Sequence, residues 1–214
     1  MRFSDLIAAA QDRTGSTLAV ALAPTINKLP PEIQRYDDPF LPFGKAVIDA
    51  TGDLACGFVF HLGAYLALGA AGAVALERTI AYVPVGAIKI LHGPFANAEY
   101  VAAAFENGFG ADAVTFVGSG ERDALAYLQA EQHGIFVPAE ANDAVLEALT
   151  RAHPGQVGIF MSDPLVLTLY PGDGSDSVAA MQIDTYNPLA HSSQASDYRD
   201  AIRDATLQRL KIHK

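Results

Sequence analysis

The sequence predicts an α/β barrel of parallel strands, and three observations carry that prediction. Short apolar runs that stop at turn residues alternate with stretches of helical periodicity, and five such strand-then-helix units follow one another. Half of the 214 residues are apolar, which is enough to fill a large shared core. The units are joined by short loops with no Gly-x-Gly-x-x-Gly fingerprint after the first strand, so a closed barrel is favoured over an open dinucleotide-binding sheet.

Met1 to Arg13 mixes Arg, Asp and Gln with apolar groups and reads as an amphipathic helix, with no export signal. Thr17 to Ala23, an apolar run ended by Pro24, suits a strand buried on both faces. Lys28 to Pro42 holds four prolines and reads as an irregular loop. Phe43 to Thr51 then gives a helix, Ala55 to Phe60 a strand, and Ala64 to Ile80 a helix with Glu77 and Arg78 on its solvent side. Gly86 to Leu91 is the third strand and Asn97 to Asn107 its helix. Ala113 to Val117 pairs in the same way with Arg122 to Gln132, and Gly134 to Val137 with Asp143 to His153.

Beyond His153 the rhythm fails. Val157 to Met161 and Leu165 to Tyr170 are both strand-like, yet only Ser162, Asp163 and Pro164 separate them. Parallel strands need a crossover of a dozen residues or more, so either these two form an antiparallel hairpin or one lies outside the sheet. A turn at Pro171 to Gly174, a strand at Ala179 to Thr185 and a helix at Ala195 to Leu210 complete the chain. The whole, residues 1 to 214, is expected to be one barrel domain, shortened or irregular in its C-terminal third.

The net charge is -10, and such a surface repels nucleic-acid and anionic-lipid phosphates, so neither is an expected partner. Cys56 is the only cysteine and reads as a buried hydrophobe, which leaves no disulfide framework and no thiolate metal cluster. The Ala- and Gly-rich stretch Leu62 to Leu76 is too short to span a bilayer, and a cytoplasmic location is expected.

Several segments carry a resemblance to a known family. They are Phe43 to Thr51 (FGKAVIDAT), Gly69 to Gly72 with Leu76 to Ile80 (LERTI), Tyr100 to Glu106 (YVAAAFE) and Gly110 to Thr115 (GADAVT). In order and spacing, the stretch from about Thr17 to Val137 resembles the orotidine 5′-phosphate decarboxylases, particularly their longer bacterial branch. The C-terminal third matches weakly. The resemblance implies a TIM-type barrel with its site at the C-terminal strand ends and a homodimer whose subunits complete each other's sites. No cofactor is expected, and no metal, because no third ligand has recognisable spacing beside His61 and His92.

Most of the charged groups that the resemblance implies are replaced. Ala23 stands where the family has an aspartate at the end of the first strand, and Val59 where it has a lysine on the second. The third strand should carry Asp-x-Lys-x-x-Asp, whereas this chain has Ala87-Ile88-Lys89-Ile90-Leu91-His92, so Lys89 alone is kept. The phosphate grip reads Pro171-Gly172-Asp173-Gly174, and Asn187 takes the place of an arginine. Lys89, His92 and His61 are therefore the candidate catalytic set, expected to share one cavity as acid, base or nucleophile. Glu140, Asn142, Gly172, Asp173, Gly174 and Asn187 are the candidate substrate-binding residues. The expected activity is that of a lyase, isomerase or cyclase on a small polar molecule rather than orotidine decarboxylation. A non-catalytic barrel that binds a ligand or partner is the alternative.

Overall fold

The computed structural model describes residues 1–140, 143–162, 165–169, 179–184 and 198–212. Eight strands close a barrel in chain order: β1 (Leu18–Leu22), β2 (Gly57–His61), β3 (Ile88–Phe95), β4 (Ala113–Phe116), β5 (Gly134–Pro138), β6 (Val157–Ser162), β7 (Leu165–Leu169) and β8 (Ala179–Asp184). Strands β1 to β6 are mutually parallel, and β8 closes the ring parallel to β1. Strand β7 runs against both its neighbours, with Ser162 opposite Leu165. Of the two alternatives for this region the hairpin is the one that forms, because two intervening residues cannot carry a crossover.

Among the described residues, eight α-helices accompany the strands: α1 (Phe3–Thr14), α2 (Phe40–Thr51), α3 (Leu62–Leu66), α4 (Ala70–Tyr82), α5 (Val101–Ala104), α6 (Glu121–Tyr127), α7 (Asp143–Ala152) and α8 (Tyr198–Ile212). Helix α2 begins three residues earlier than its apolar period suggests, since the Asp38 carboxylate accepts the Leu41 N–H and Pro42 sits in a first turn that needs no proline N–H. The expected single helix from Ala64 to Ile80 is two, broken at Gly69, whose φ of 61° is left-handed. The helix expected over Asn97 to Asn107 shrinks to a 3-10 turn, Ala98–Tyr100, followed by the single turn of α5.

Alternation along each strand divides the core in two. One apolar cluster lies between strands and outer helices and includes Val20, Phe58, Phe60, Leu91, Val114, Phe116 and Ile135. The other fills the barrel itself with Ala19, Ala21, Val59, Ile88, Ile90, Ala113, Phe136 and Phe160. Helix α1 belongs to this inner cluster through Phe3, Ile7 and Ala10, and so closes the base of the barrel, where the strands begin. Its first N–H groups have no intrahelical acceptor, and two are satisfied there: Phe3 donates to the Glu131 carbonyl at 2.8 Å and Ser4 to that of Gly155 at 3.0 Å. Arg13 at its other end reaches the carbonyls of Gly52 (3.0 Å) and Ala55 (3.1 Å).

Candidate active site

Two histidines meet at the rim of the barrel opposite α1. His61 ends β2 and His92 is its direct partner on β3, so both side chains leave the sheet on the same side. Their inward direction follows from parity, because His92 is in step with Ile88 and Ile90, and His61 with Val59, all members of the inner cluster. The ring centroids are 5.0 Å apart, and the His92 ring meets the edge of Phe160 at 5.8 Å.

The local cause is an irregularity in β3. The β3–β4 register shifts between Leu91 and Phe95, so His92, Gly93 and Pro94 oppose Thr115 alone. Gly and Pro inside a strand mark such bulges, which re-aim side chains beside sites. The Thr115 hydroxyl fills the gap. It accepts the Gly93 N–H at 3.1 Å, lies 3.2 Å from the Gly93 carbonyl and 3.0 Å from His92 Nδ1. Burial, and secondarily the His61 ring, press the His92 imidazole from 6.5 down to about 4, so the ring is neutral at physiological pH. His61 is exposed and caps α3, its Nδ1 accepting the Ala64 N–H at 3.2 Å.

The expectation that Lys89 shares a cavity with the two histidines is corrected by its position. Lys89 is the second residue of β3, at the base rather than the rim, and stands opposite Phe58 of the outer cluster. Strand alternation sends it out toward the helices, one face away from Ile88 and Ile90. There its ammonium lies 3.6 Å from the Asp112 carboxylate, whose other oxygen accepts the Lys89 N–H at 2.8 Å. Burial raises the Asp112 pKa by more than the ammonium and the hydrogen bonds lower it, which marks a pair that is attractive yet costly to desolvate. The two residues line a cavity of about 500 Å3 at the base, walled by α1 and the turn Pro84 to Gly86.

Glu140 follows β5 at the rim. It borders a cavity of about 310 Å3 between the ends of β4 and β5 and helices α6 and α7, shared with Ser119, Gly120 and a wall of Phe116, Val137 and Leu146. Asn142, Gly172, Asp173, Gly174 and Asn187 lie outside the described residues. Among the described residues no three metal-ligating side chains converge, and no helix is long and apolar enough to cross a membrane. Sequence reasoning missed Thr115 and Phe160. No signal in the residue order pointed to either.

No protein-family profile matches the chain. Among curated proteins, it is 36% identical over 119 residues to the orotidine 5′-phosphate decarboxylase of Herpetosiphon aurantiacus, covering 53% of this chain and 44% of that one. It is 31% identical over 163 residues to the same enzyme of Thermomicrobium roseum, covering 72% of this chain and 55% of the relative. The chain thus spans about half the length of these relatives. The solved structure of Leishmania donovani OMP decarboxylase superposes with a TM-score of 0.66 over 97% of each chain at 20% identity, a likeness of fold. Sequence and barrel agree in what they indicate: the relatives and the structural neighbours consistently point to the orotidine 5′-phosphate decarboxylase family of TIM barrels.

Proposed function

We propose that this chain is a diverged enzyme of that family, which moves protons on a small polar molecule at the barrel rim with His92 as the base and His61 beside it. The observation that carries this reading is the histidine pair itself, 5.0 Å apart, with His92 neutral, partly buried and held by Thr115. A neutral imidazole at a strand end is a ready proton acceptor. Lyase, isomerase and cyclase chemistry all need one.

Decarboxylation of orotidine 5′-phosphate is not the favoured reaction. Along β1 to β5 the inward positions are Ala19, Ala21, Gly57, Val59, His61, Ile88, Ile90, His92, Ala113, Thr115, Gly134, Phe136 and Pro138, with no carboxylate and no amine among them. A reaction that relies on a lysine framed by carboxylates has nothing to stand on there. Glu140 and the rim cavity beside it are the proposed substrate contacts on the β5 side. A cytoplasmic homodimer is the expected working form.

The test follows consumption of a defined metabolite mixture by mass spectrometry, with orotidine 5′-phosphate as a separate arm. Wild type should consume a component of the mixture, His92→Asn should not, and Lys89→Met should retain the activity. Equal consumption by wild type and His92→Asn would overturn the reading. No consumption by either supports a non-catalytic ligand-binding barrel, and efficient release of carbon dioxide from orotidine 5′-phosphate overturns the divergence.

A further inference from the structure

The two rim histidines differ in what holds them, and the difference fixes their protons. On His61 the Nδ1 accepts the Ala64 backbone N–H at 3.2 Å, and a nitrogen that accepts carries no proton. The neutral ring must then bear its proton on Nε2.

On His92 the decision passes through Thr115. A hydroxyl has one proton to give and two lone pairs to fill. Three groups surround this one: the Gly93 N–H at 3.1 Å, the Gly93 carbonyl at 3.2 Å and His92 Nδ1 at 3.0 Å. The N–H can only donate and the carbonyl can only accept. The hydroxyl proton goes to the carbonyl, one lone pair takes the N–H, and the second lone pair is left for His92 Nδ1, which must then donate. The reverse assignment, with the hydroxyl donating to Nδ1, would leave an oxygen 3.2 Å from a carbonyl with no proton between them, inside a bulge where Gly93 lies outside the register of the ladder to β4. A partly buried oxygen–oxygen contact of that kind is unfavourable.

We propose that Thr115 is a positioning residue that locks His92 as the Nδ1–H tautomer, while the Ala64 N–H locks His61 as the opposite one, so that the rim offers a paired acceptor (His92 Nε2) and donor (His61 Nε2–H). This rests on the proton-transfer reading above and sharpens it, since Thr115 lies behind the base and need not touch the substrate. The pair suits a ligand that yields a proton at one atom and accepts a hydrogen bond at the next, the pattern of a carbonyl compound with an acidic neighbouring C–H. Two histidines of the same tautomer would offer only donors or only acceptors.

The tautomers can be read without any substrate, by long-range 1H–15N correlation of the uniformly labelled protein at about pH 8, above the ordinary imidazole pKa of about 6.5. His61→Asn and His92→Asn identify the two rings by loss of their signals. In wild type, His92 should show a protonated, pyrrole-type Nδ1 and a bare, pyridine-type Nε2, with His61 the reverse. Thr115→Val should move both His92 nitrogens toward an averaged shift and leave His61 unchanged, and Thr115→Ser should restore the wild-type pattern. A pyridine-type Nδ1 on His92 in wild type overturns the proposal, as does a Thr115→Val spectrum with His92 unmoved. Should Thr115→Val not fold, wild type and Thr115→Ser still decide. Failure here leaves turnover untouched, whereas absence of turnover leaves these spectra as they are.

Discussion

His92 couples the site to acid stability. Its imidazole is held down to about 4 by burial first and by His61 second, against 6.5 when free. As pH falls below 6.5 the unfolded chain takes up a proton that the folded protein refuses until about 4. The contribution of His92 is therefore fully present above about 6.5 and is lost progressively toward 4. His133, stacked on Phe105 at 3.8 Å and also lowered by burial, adds to the same slope. Urea midpoints measured between these pH values should fall steadily in wild type and less steeply in His92→Gln. A slope unchanged in the variant would contradict the burial of that ring. Lys89 is the contrasting residue. Lys89→Met leaves the partly buried Asp112 carboxylate without its ammonium partner, and with solvent screening this should cost about 1 kcal/mol near neutral pH. Denaturant unfolding checks the cost, and the histidine signals at the rim should not move.

At the scale of elements, close approach decides more than periodicity does. A Cβ on Gly72 would run into the Tyr65 carbonyl, because the start of α4 is pressed against the end of α3. Gly72→Ala should force the two apart and lower stability by roughly 1–3 kcal/mol, read from thermal unfolding. That break in the helix was not legible in the sequence, since both pieces share one apolar period and Gly69 alone marks the join. The strands were legible, because apolar runs ended by turn residues leave few other readings. Their facing was not. A strand of a parallel barrel is buried on both sides, so Ile88, Ile90 and Leu91 carry no alternation that separates inside from outside. Lys89 and His92, three residues apart, had to face opposite ways, and the resemblance favoured the lysine. The bulge at Gly93 and Pro94 and the pairing with Asp112 settle it the other way.

For the whole molecule, the interior is lined at β1 and β4 by the small side chains Ala19, Ala21 and Ala113, and α1 completes it from below. Phe3 is fully buried and meets Phe136 edge-on at 6.0 Å. Its ring also occupies the space that a side chain on Gly134 would need. Phe3→Ala should remove roughly 3–5 kcal/mol, since the cavity opens in the barrel interior, where strands cannot collapse inward. Urea unfolding measures this loss, and a cost below about 1 kcal/mol would show that α1 is an accessory rather than a floor. The closed barrel and its rim were foreseeable from the five regular units and the resemblance over Thr17 to Val137. The Thr115 contact was not, because it depends on a register shift that residue order does not encode.

The backward strand has a consequence for the outside of the barrel. In a regular unit the chain returns from rim to base along the exterior, and the returning helix upholsters the wall. Between β6 and β7 the chain makes that descent within the wall, from Ser162 opposite Leu165 to Gly158 opposite Leu169. No crossover helix stands between them, and Met161, facing outward on β6, is 45% exposed. The ring thus closes at this step without the crossover helix that follows each of the strands β1 to β5.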